Sequence, residues 1–287
     1  MPDSSKGPTT TQHRLCAFPI NDLQRCFPEG ATLAGVELCP VPSSKRIRLN
    51  RVPDTFLTAE WKHILMLNYA VDPFVLASFV PYGTELDFFE GRTYISLIGF
   101  EFNRTRLLGF RVPFHQSFEE VNVRFYVRRG EKRGVVFIRE LVPKRAVAAI
   151  ARWAFNEKYL RVPMTHRIET RPDGDIAKAE FAWRFGLERF VMKAETEGAS
   201  FLAAAGSESK FITEHYWGYA AQKDGGSLEY EVQHPQWRVW KTKQANFTGD
   251  AAGLYGVEIA RILARDPDSA FLANGSAVTV SKGTRIT

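Results

Sequence analysis

No apolar run in this chain approaches the roughly 20 residues that a membrane-spanning helix requires. The start, MPDSSKGPTTTQHR, lacks the basic residues followed by an apolar segment that mark export, so a cytoplasmic protein is expected. Cysteine is scarce. Cys16, Cys26 and Cys39 are the only three in 287 residues, and their odd number and loose spacing exclude a disulfide framework. They form no CxxC pair, and with His13 they lack the spacing of a zinc module, so no metal is expected. There is no glycine-rich phosphate loop, nucleophile elbow or metal-spaced histidine pair. Nucleotide-dependent chemistry and zinc hydrolysis are disfavoured, and no cofactor is implied.

Aromatic residues are plentiful: 22 Phe, 9 Tyr and 6 Trp suit a β-rich protein with a broad core. The net charge of +6 permits weak attraction to anions. The densest basic patch is Arg124, Arg128, Arg129, Lys132 and Arg133, interrupted by Glu131. Arg129-Gly130-Glu131 reads as a hairpin turn, where solvated charges are usual. The patch therefore makes a weak case for nucleic acid.

Residues 1 to 52 are rich in Pro, Ser and Thr and read as a partly disordered N-terminal extension; 53 to 287 read as one domain. Trp61 to Val71 ends as a strand, and Asp72-Pro73 caps a short helix through Phe79. Strands are expected near Thr84 to Phe89, Thr93 to Phe102 and Gly134 to Leu141. Pro143 opens an amphipathic helix from Lys144 to Phe155. Further strands run at Thr165 to Thr170, Ala177 to Arg184 and Arg189 to Ala194. A helix from Glu208 to Thr213 precedes strands at His215 to Ala221, Leu228 to His234 and Trp237 to Ala245. This pattern is that of a mainly β, α+β domain, expected as one closed or nearly closed barrel.

The stretch Phe118 to Arg129, FEEVNVRFYVRR, carries the clearest functional signal. At a period of two, Val121, Val123, Phe125 and Val127 form one face, and Glu120, Asn122, Arg124 and Tyr126 the other. A carboxylate, an amide, a guanidinium and a phenol can orient a small polar ligand if that face lines a cavity. On a solvated face the same residues are only a surface.

LTAEWKHILMLNYAVDP, PYGTELDFFEGRTYISLIGFEF, PFHQSFEEVNVRFYVRR and RGVVFIRELVPKRAVAAIARWAFNEKYLRVPM resemble the YqjF family, also called DUF2071, which has no established activity. YWGYA and YEVQHPQWRVW are similar to its C-terminal half, and the resemblance covers about residues 54 to 284. It implies an acetoacetate decarboxylase-like fold: a large, mainly antiparallel β-barrel with flanking helices and an internal ligand cavity. Acetoacetate decarboxylases carry Gly-Phe-Pro-Lys-Lys after a helix, with one lysine forming a Schiff base. The nearest segment here is Ala154-Phe155-Asn156-Glu157-Lys158, which puts Glu157 where that lysine should stand and leaves only Lys158 of the pair. A neighbouring carboxylate favours the ammonium form, the opposite of what a Schiff-base lysine needs, unless the two side chains diverge. Their Tyr-x-x-Glu motif resembles Phe118-Glu119-Glu120-Val121 only loosely, which makes Glu120 a weak catalytic candidate beside Lys158.

Arg124 could grip a ligand carboxylate in a bidentate fashion, or pair internally with Glu120. Glu120 could act as a base if burial raises its pKa. Tyr126 reads more simply as a core tyrosine than as an acid. His115 reads as a loop residue and His234 as a structural one, while Trp61, Trp217 and Trp240 read as core or cavity wall. The expected partner is a small, anionic molecule bound by Arg124, Glu120, Asn122 and Tyr126, with no membrane; a homo-oligomer is left open. A lyase or decarboxylase-like enzyme acting on a small oxo acid is the alternative. Lower still stands an interaction module whose basic hairpin meets an acidic partner.

Overall fold

Seventeen consecutive residues, Thr55–Val71, form the first strand, β1, and its interior from Ile64 to Tyr69 is buried without a break. Such a run arises when both faces of a strand are covered. The computed structural model describes residues 55–111, 116–144 and 155–287. The N-terminal extension with its cysteines, His115, and the body of the helix expected from Lys144 to Phe155 lie outside the described residues.

Along the chain follow β2 (Glu85–Leu86), β3 (Thr93–Leu107), β4 (Phe110–Arg111), β5 (Phe118–Arg129) and β6 (Lys132–Val142). Then come β7 (Tyr159–Arg161), β8 (Met164–Thr170), β9 (Ile176–Phe185), β10 (Glu188–Leu202), β11 (Trp217–Ala221) and β12 (Ser227–Gln233). The last three are β13 (Arg238–Thr248), β14 (Ser269–Ser281) and β15 (Thr284–Ile286). Short helices sit between them: α1 (Pro73–Leu76), α2 (Glu208–Thr213), α3 (Ala252–Tyr255) and α4 (Val257–Leu263). Asp72 caps α1 by accepting from the Phe74 amide at 2.9 Å, as its position before Pro73 predicts. The strand expected at Thr84 to Phe89 is corrected to the two residues of β2; just beyond it the Asp87 amide still donates to the Tyr126 carbonyl at 3.0 Å, while its carboxylate accepts from Arg133.

One sheet contains all fifteen strands, in the main order β15-β12-β11-β6-β5-β3-β1-β14-β13-β10-β9-β8. Pairing is antiparallel except where β6 meets β7 and β11. β12 also pairs with β14 through Val232↔Val280 and Gln233↔Thr279, so the pairings lead from β14 back to it through β1, β3, β5, β6, β11 and β12.

The alternation of β5 sorts its side chains onto two apolar layers. Val121, Val123, Phe125 and Val127 join an outer cluster with Phe181, Trp183, Phe190 and Met192 of β9 and β10, and with Leu254, Ile259 and Leu263 of α3 and α4. The outer layer is thus a folded-over part of the sheet together with helices. Gly99 shows how tightly the layers meet: a Cβ there would come within 2.8 Å of the Phe181 ring. The inner cluster includes Ile98, Phe100, Phe102 and Phe118, with Phe211 and Ile212 of α2. Each such buried side chain contributes roughly 1.5–3 kcal/mol relative to exposure, so both faces of β5 are held by substantial burial.

Candidate functional site

β5 turns Glu120, Asn122 and Arg124 toward a cavity of about 150 Å³, the scale of a space that takes a benzene-sized molecule. Its walls are mostly aromatic, among them Trp61, Phe100, Phe102, Trp217 and Trp237. The polar side of the wall continues across neighbouring strands. Asn122 lies opposite Glu140 on β6, and Glu140 lies opposite Tyr159 on β7. Glu157, just before β7, and Tyr230 on β12 complete this side.

Hydrogen bonds fix the group. Glu120 accepts from Asn122 Nδ2 and from the Tyr159 hydroxyl, both at 3.0 Å. Tyr230 donates to Glu157 Oε1 at 2.9 Å. Glu157 is aimed inward by the turn before it. Asn156 takes a left-handed φ of 57° and donates to the Ala221 carbonyl at 2.9 Å, while Gln222 donates to the Phe155 carbonyl at 3.0 Å. Asparagine is among the few residues that enter this backbone region at low cost. Gly218, directly opposite Tyr230, leaves room for the ring; a Cβ there would lie 2.1 Å from it.

Glu120, Glu140 and Glu157 are all at most 6% exposed, too buried to be ordinary carboxylates. Burial raises Glu120 to about 7, against the pull of Asn122, Tyr159 and Arg124 toward the ionised form. Burial likewise raises Glu157 to about 8, opposed by Tyr230 and Lys158. Glu140 is pushed well up, first by burial and then by the neighbouring Glu157 and Glu120. At neutral pH this wall therefore holds protons that can be donated, exchanged or released.

Arg124 stands at the other part of the lining. Its Nη2 donates to the Ile212 carbonyl at 3.3 Å, and its buried Nε has no partner. Among the described residues it makes no ion pair, whereas the other hairpin cations are paired: Arg128 with Glu85, Arg129 and Lys132 with Glu229, and Arg133 with Asp87. The basic patch is largely neutralised by the chain itself.

A second polar group meets the cavity at His215. Its Nε2 lies 3.2 Å from Asp87 Oδ2 and 3.3 Å from Arg133 Nη2, while its Nδ1 is buried without a partner. Burial lowers the imidazole to about 4, outweighing the hydrogen bond to Asp87, so it is neutral at pH 7. Burial alone would raise Asp87, but hydrogen bonds from His215 and Arg133 outweigh it and hold the carboxyl below its ordinary value.

Two sequence candidates fall elsewhere. The Tyr126 hydroxyl is 2.6 Å from Ser96 Oγ, and Ser96 donates to Asn68 at 2.6 Å. Tyr126 thus joins a buried polar chain, with its ring against Phe211 and His215, and is not among the cavity-lining residues. Lys158 is exposed, its ammonium 5.3 Å from the centre of the Phe79 ring. No lysine is among the described residues lining the cavity. His234 and the Trp61 and Trp217 rings belong to the wall, while Trp240 packs in the outer cluster. Glu140, Tyr159, His215 and Tyr230 were not singled out by sequence reasoning; an isolated carboxylate inside the apolar stretch VVFIRELV was the available signal for Glu140.

The mostly β structure places the chain among proteins of acetoacetate decarboxylase-like fold. The acetoacetate decarboxylase of Legionella pneumophila superposes with a TM-score of 0.59 at 12% identity, covering 89% of this chain and 98% of that one. The enduracididine biosynthesis enzyme MppR, with HEPES bound, gives 0.60 at 14% identity over 91% of this chain and 98% of its own; a further MppR structure is complexed with pyruvate. Residues 58–277 match the model of the DUF2071 family, described as an uncharacterised conserved protein, and the chain belongs to that family. The uncharacterised protein YqjF of Bacillus subtilis (strain 168) is 26% identical over 211 residues, covering 71% of this chain and 85% of YqjF. No helix among the described residues is long and apolar enough to cross a membrane.

Proposed function

We propose that the protein binds a small organic acid in the cavity, within strands that close as a barrel, with Arg124 reading the acid and Glu120 and Asn122 orienting the remainder. The observation that carries this is Arg124 itself: a cavity-lining guanidinium with an unpartnered Nε and no ion pair among the described residues. A guanidinium left this way is a ready bidentate partner for a carboxylate. The pyruvate complex of MppR, which shares the fold, adds support for this ligand class. A melting screen with two- to six-carbon organic acids tests the reading, because a ligand that binds only the folded state raises the transition temperature. At least one acid should raise the wild-type melting temperature and leave Arg124→Ala unmoved. Equal shifts in both proteins would sink the assignment.

A second reading, proton transfer on a small oxo acid, is favoured by His215. A neutral imidazole beside Asp87 with a free Nδ1 has the makings of a general base for a proton next to a carbonyl. Exchange of the pyruvate methyl protons in deuterated water, followed by proton NMR, checks this. Exchange should require the protein and be lost in His215→Gln; no exchange above background removes the enzymatic reading. Schiff-base decarboxylation has little support, since the one lysine of the matched segment is exposed.

A further inference from the structure

Two buried acceptors on the polar wall have no donor. Asn122 Oδ1 and Glu140 Oε2 are both without a hydrogen-bond partner, in side chains each 2% exposed that line the cavity. They come from residues directly opposite each other on β5 and β6. The Asn122 amide nitrogen is committed to Glu120, so the oxygen is the free end of that side chain. An acceptor buried without a donor costs about 1–3 kcal/mol; the proton that Glu140 holds near neutral pH can serve one such oxygen, and a bound ammonium would take that proton's place. We propose that the Asn122–Glu140 pair is an amine-reading subsite, and that the molecule held in this cavity is a small zwitterion whose nitrogen seats there.

The identity of the other end rests on the organic-acid reading of Arg124; the subsite itself does not. Charge supports the assignment. Lining the same cavity are Glu120 and Arg124 from β5, Glu140 from β6, Glu157 and Tyr159 from the turn before β7 and β7 itself, Tyr230 from β12, and His215 and His234. The three carboxyls hold protons near neutral pH, and an ammonium seated among them would donate to their oxygens and favour their ionised forms, which an anionic group cannot do. Cavity size limits the molecule to roughly benzene dimensions, which short amino acids satisfy. Because these carboxyls hold protons near neutral pH, seating a cation should release protons and tighten as pH rises from 6 to 9.

The test is calorimetric titration of the full chain with 4-aminobutyrate, butyrate and butylamine, in buffers of different ionisation heat. The expected result is binding of 4-aminobutyrate at least tenfold tighter than butyrate, with proton release, and loss of that preference in Glu140→Gln. Butyrate binding that needs Arg124 but gains nothing from the amino group would overturn the subsite and leave the organic-acid reading standing. Butylamine binding that needs Glu140, with no acid dependence on Arg124, would support the subsite and overturn the organic-acid reading. If none of the three binds, the subsite falls, while the organic-acid reading is decided by the wider melting screen. Should Glu140→Gln fail to fold, the ligand preference of the unaltered chain decides by itself.

Discussion

Glu157 and Lys158 are neighbours in sequence and point to opposite environments: Glu157 into the cavity at 6% exposure, Lys158 outward near the Phe79 ring. In the register expected from the sequence resemblance, the position of a Schiff-base lysine is held by a buried acid, and the adjacent lysine is outside the cavity.

Lys158 is accordingly expected not to act as a carbonyl nucleophile. Its ammonium lies outside the cavity beside the Phe79 ring, so borohydride with acetoacetate at neutral pH should leave it unmodified. Mass spectrometry of the peptide containing Lys158 provides the check. A reduced adduct there, absent in Lys158→Arg, would refute this.

Glu157 should make stability fall as pH rises. Its carboxyl is raised from 4.5 to about 8 by burial, so the folded state holds a proton that the unfolded state has lost. The stability this contributes is full below 4.5 and disappears as pH rises through 8. Glu157→Gln, which can still accept from Tyr230 and does not titrate, should gain on the wild type steadily between pH 5 and 9. Melting curves across that range that stay parallel for the two proteins would show that Glu157 is not a buried acid.

His215 works in the opposite direction. Its imidazole is lowered from 6.5 to about 4, so stability is present above 6.5 and is lost as pH falls toward 4. Each unit of separation between folded and unfolded pKa is worth about 1.4 kcal/mol. Replacement by Gln should flatten the urea-unfolding stability of the protein between pH 6.5 and 4. An unchanged slope would place the acid sensitivity of this range at another group.

Gly218→Ala should damage the site through Tyr230. The new methyl would occupy the space of the tyrosine ring, and an overpacked core costs typically about 1–3 kcal/mol. Tyr230 would be displaced from Glu157. The expected signs are a lower melting temperature and weaker binding of any cavity ligand, while Gly130→Ala, in the exposed hairpin turn, should leave ligand binding unchanged.

The two faces of β5 were legible because alternation on a buried strand is a local pattern, and Glu120, Asn122 and Arg124 do converge. Tyr126 shares their face but is captured by Ser96 from β3, a partner thirty residues away that periodicity cannot reveal. Glu140 was hidden by a bulge. Counting back from the Arg129↔Lys132 end of the hairpin puts Arg139 opposite Asn122, but the register shifts after Arg124 and brings Glu140 there instead. Glu157, Tyr159 and Tyr230 reach the same corner only through the parallel β6–β7 pairing and the return of β12, which no short segment encodes. β14 and the α3–α4 pair were not anticipated at all. β14 is dominated by small residues, and the helical stretch is broken at Gly256, whose φ of 84° divides it into two short pieces.

The pairing of β12 with β14 spans two residue pairs, where the neighbouring β1–β14 ladder runs almost the full length of both strands. His234 and Pro235 follow directly, and proline brings no amide proton with which to lengthen the seam. This junction is a latch held by very few backbone bonds, set beside Val232 and Val280 of the cavity wall. The Val232 amide is held by the Tyr216 carbonyl at 2.8 Å on the opposite side, so it is Gln233 whose amide exchange should be fast for a strand lining the cavity. With the β6–β11 seam, which also spans two residue pairs, this junction brackets β11 and β12 as the part of the wall that the fewest backbone pairings tie to the rest of the sheet.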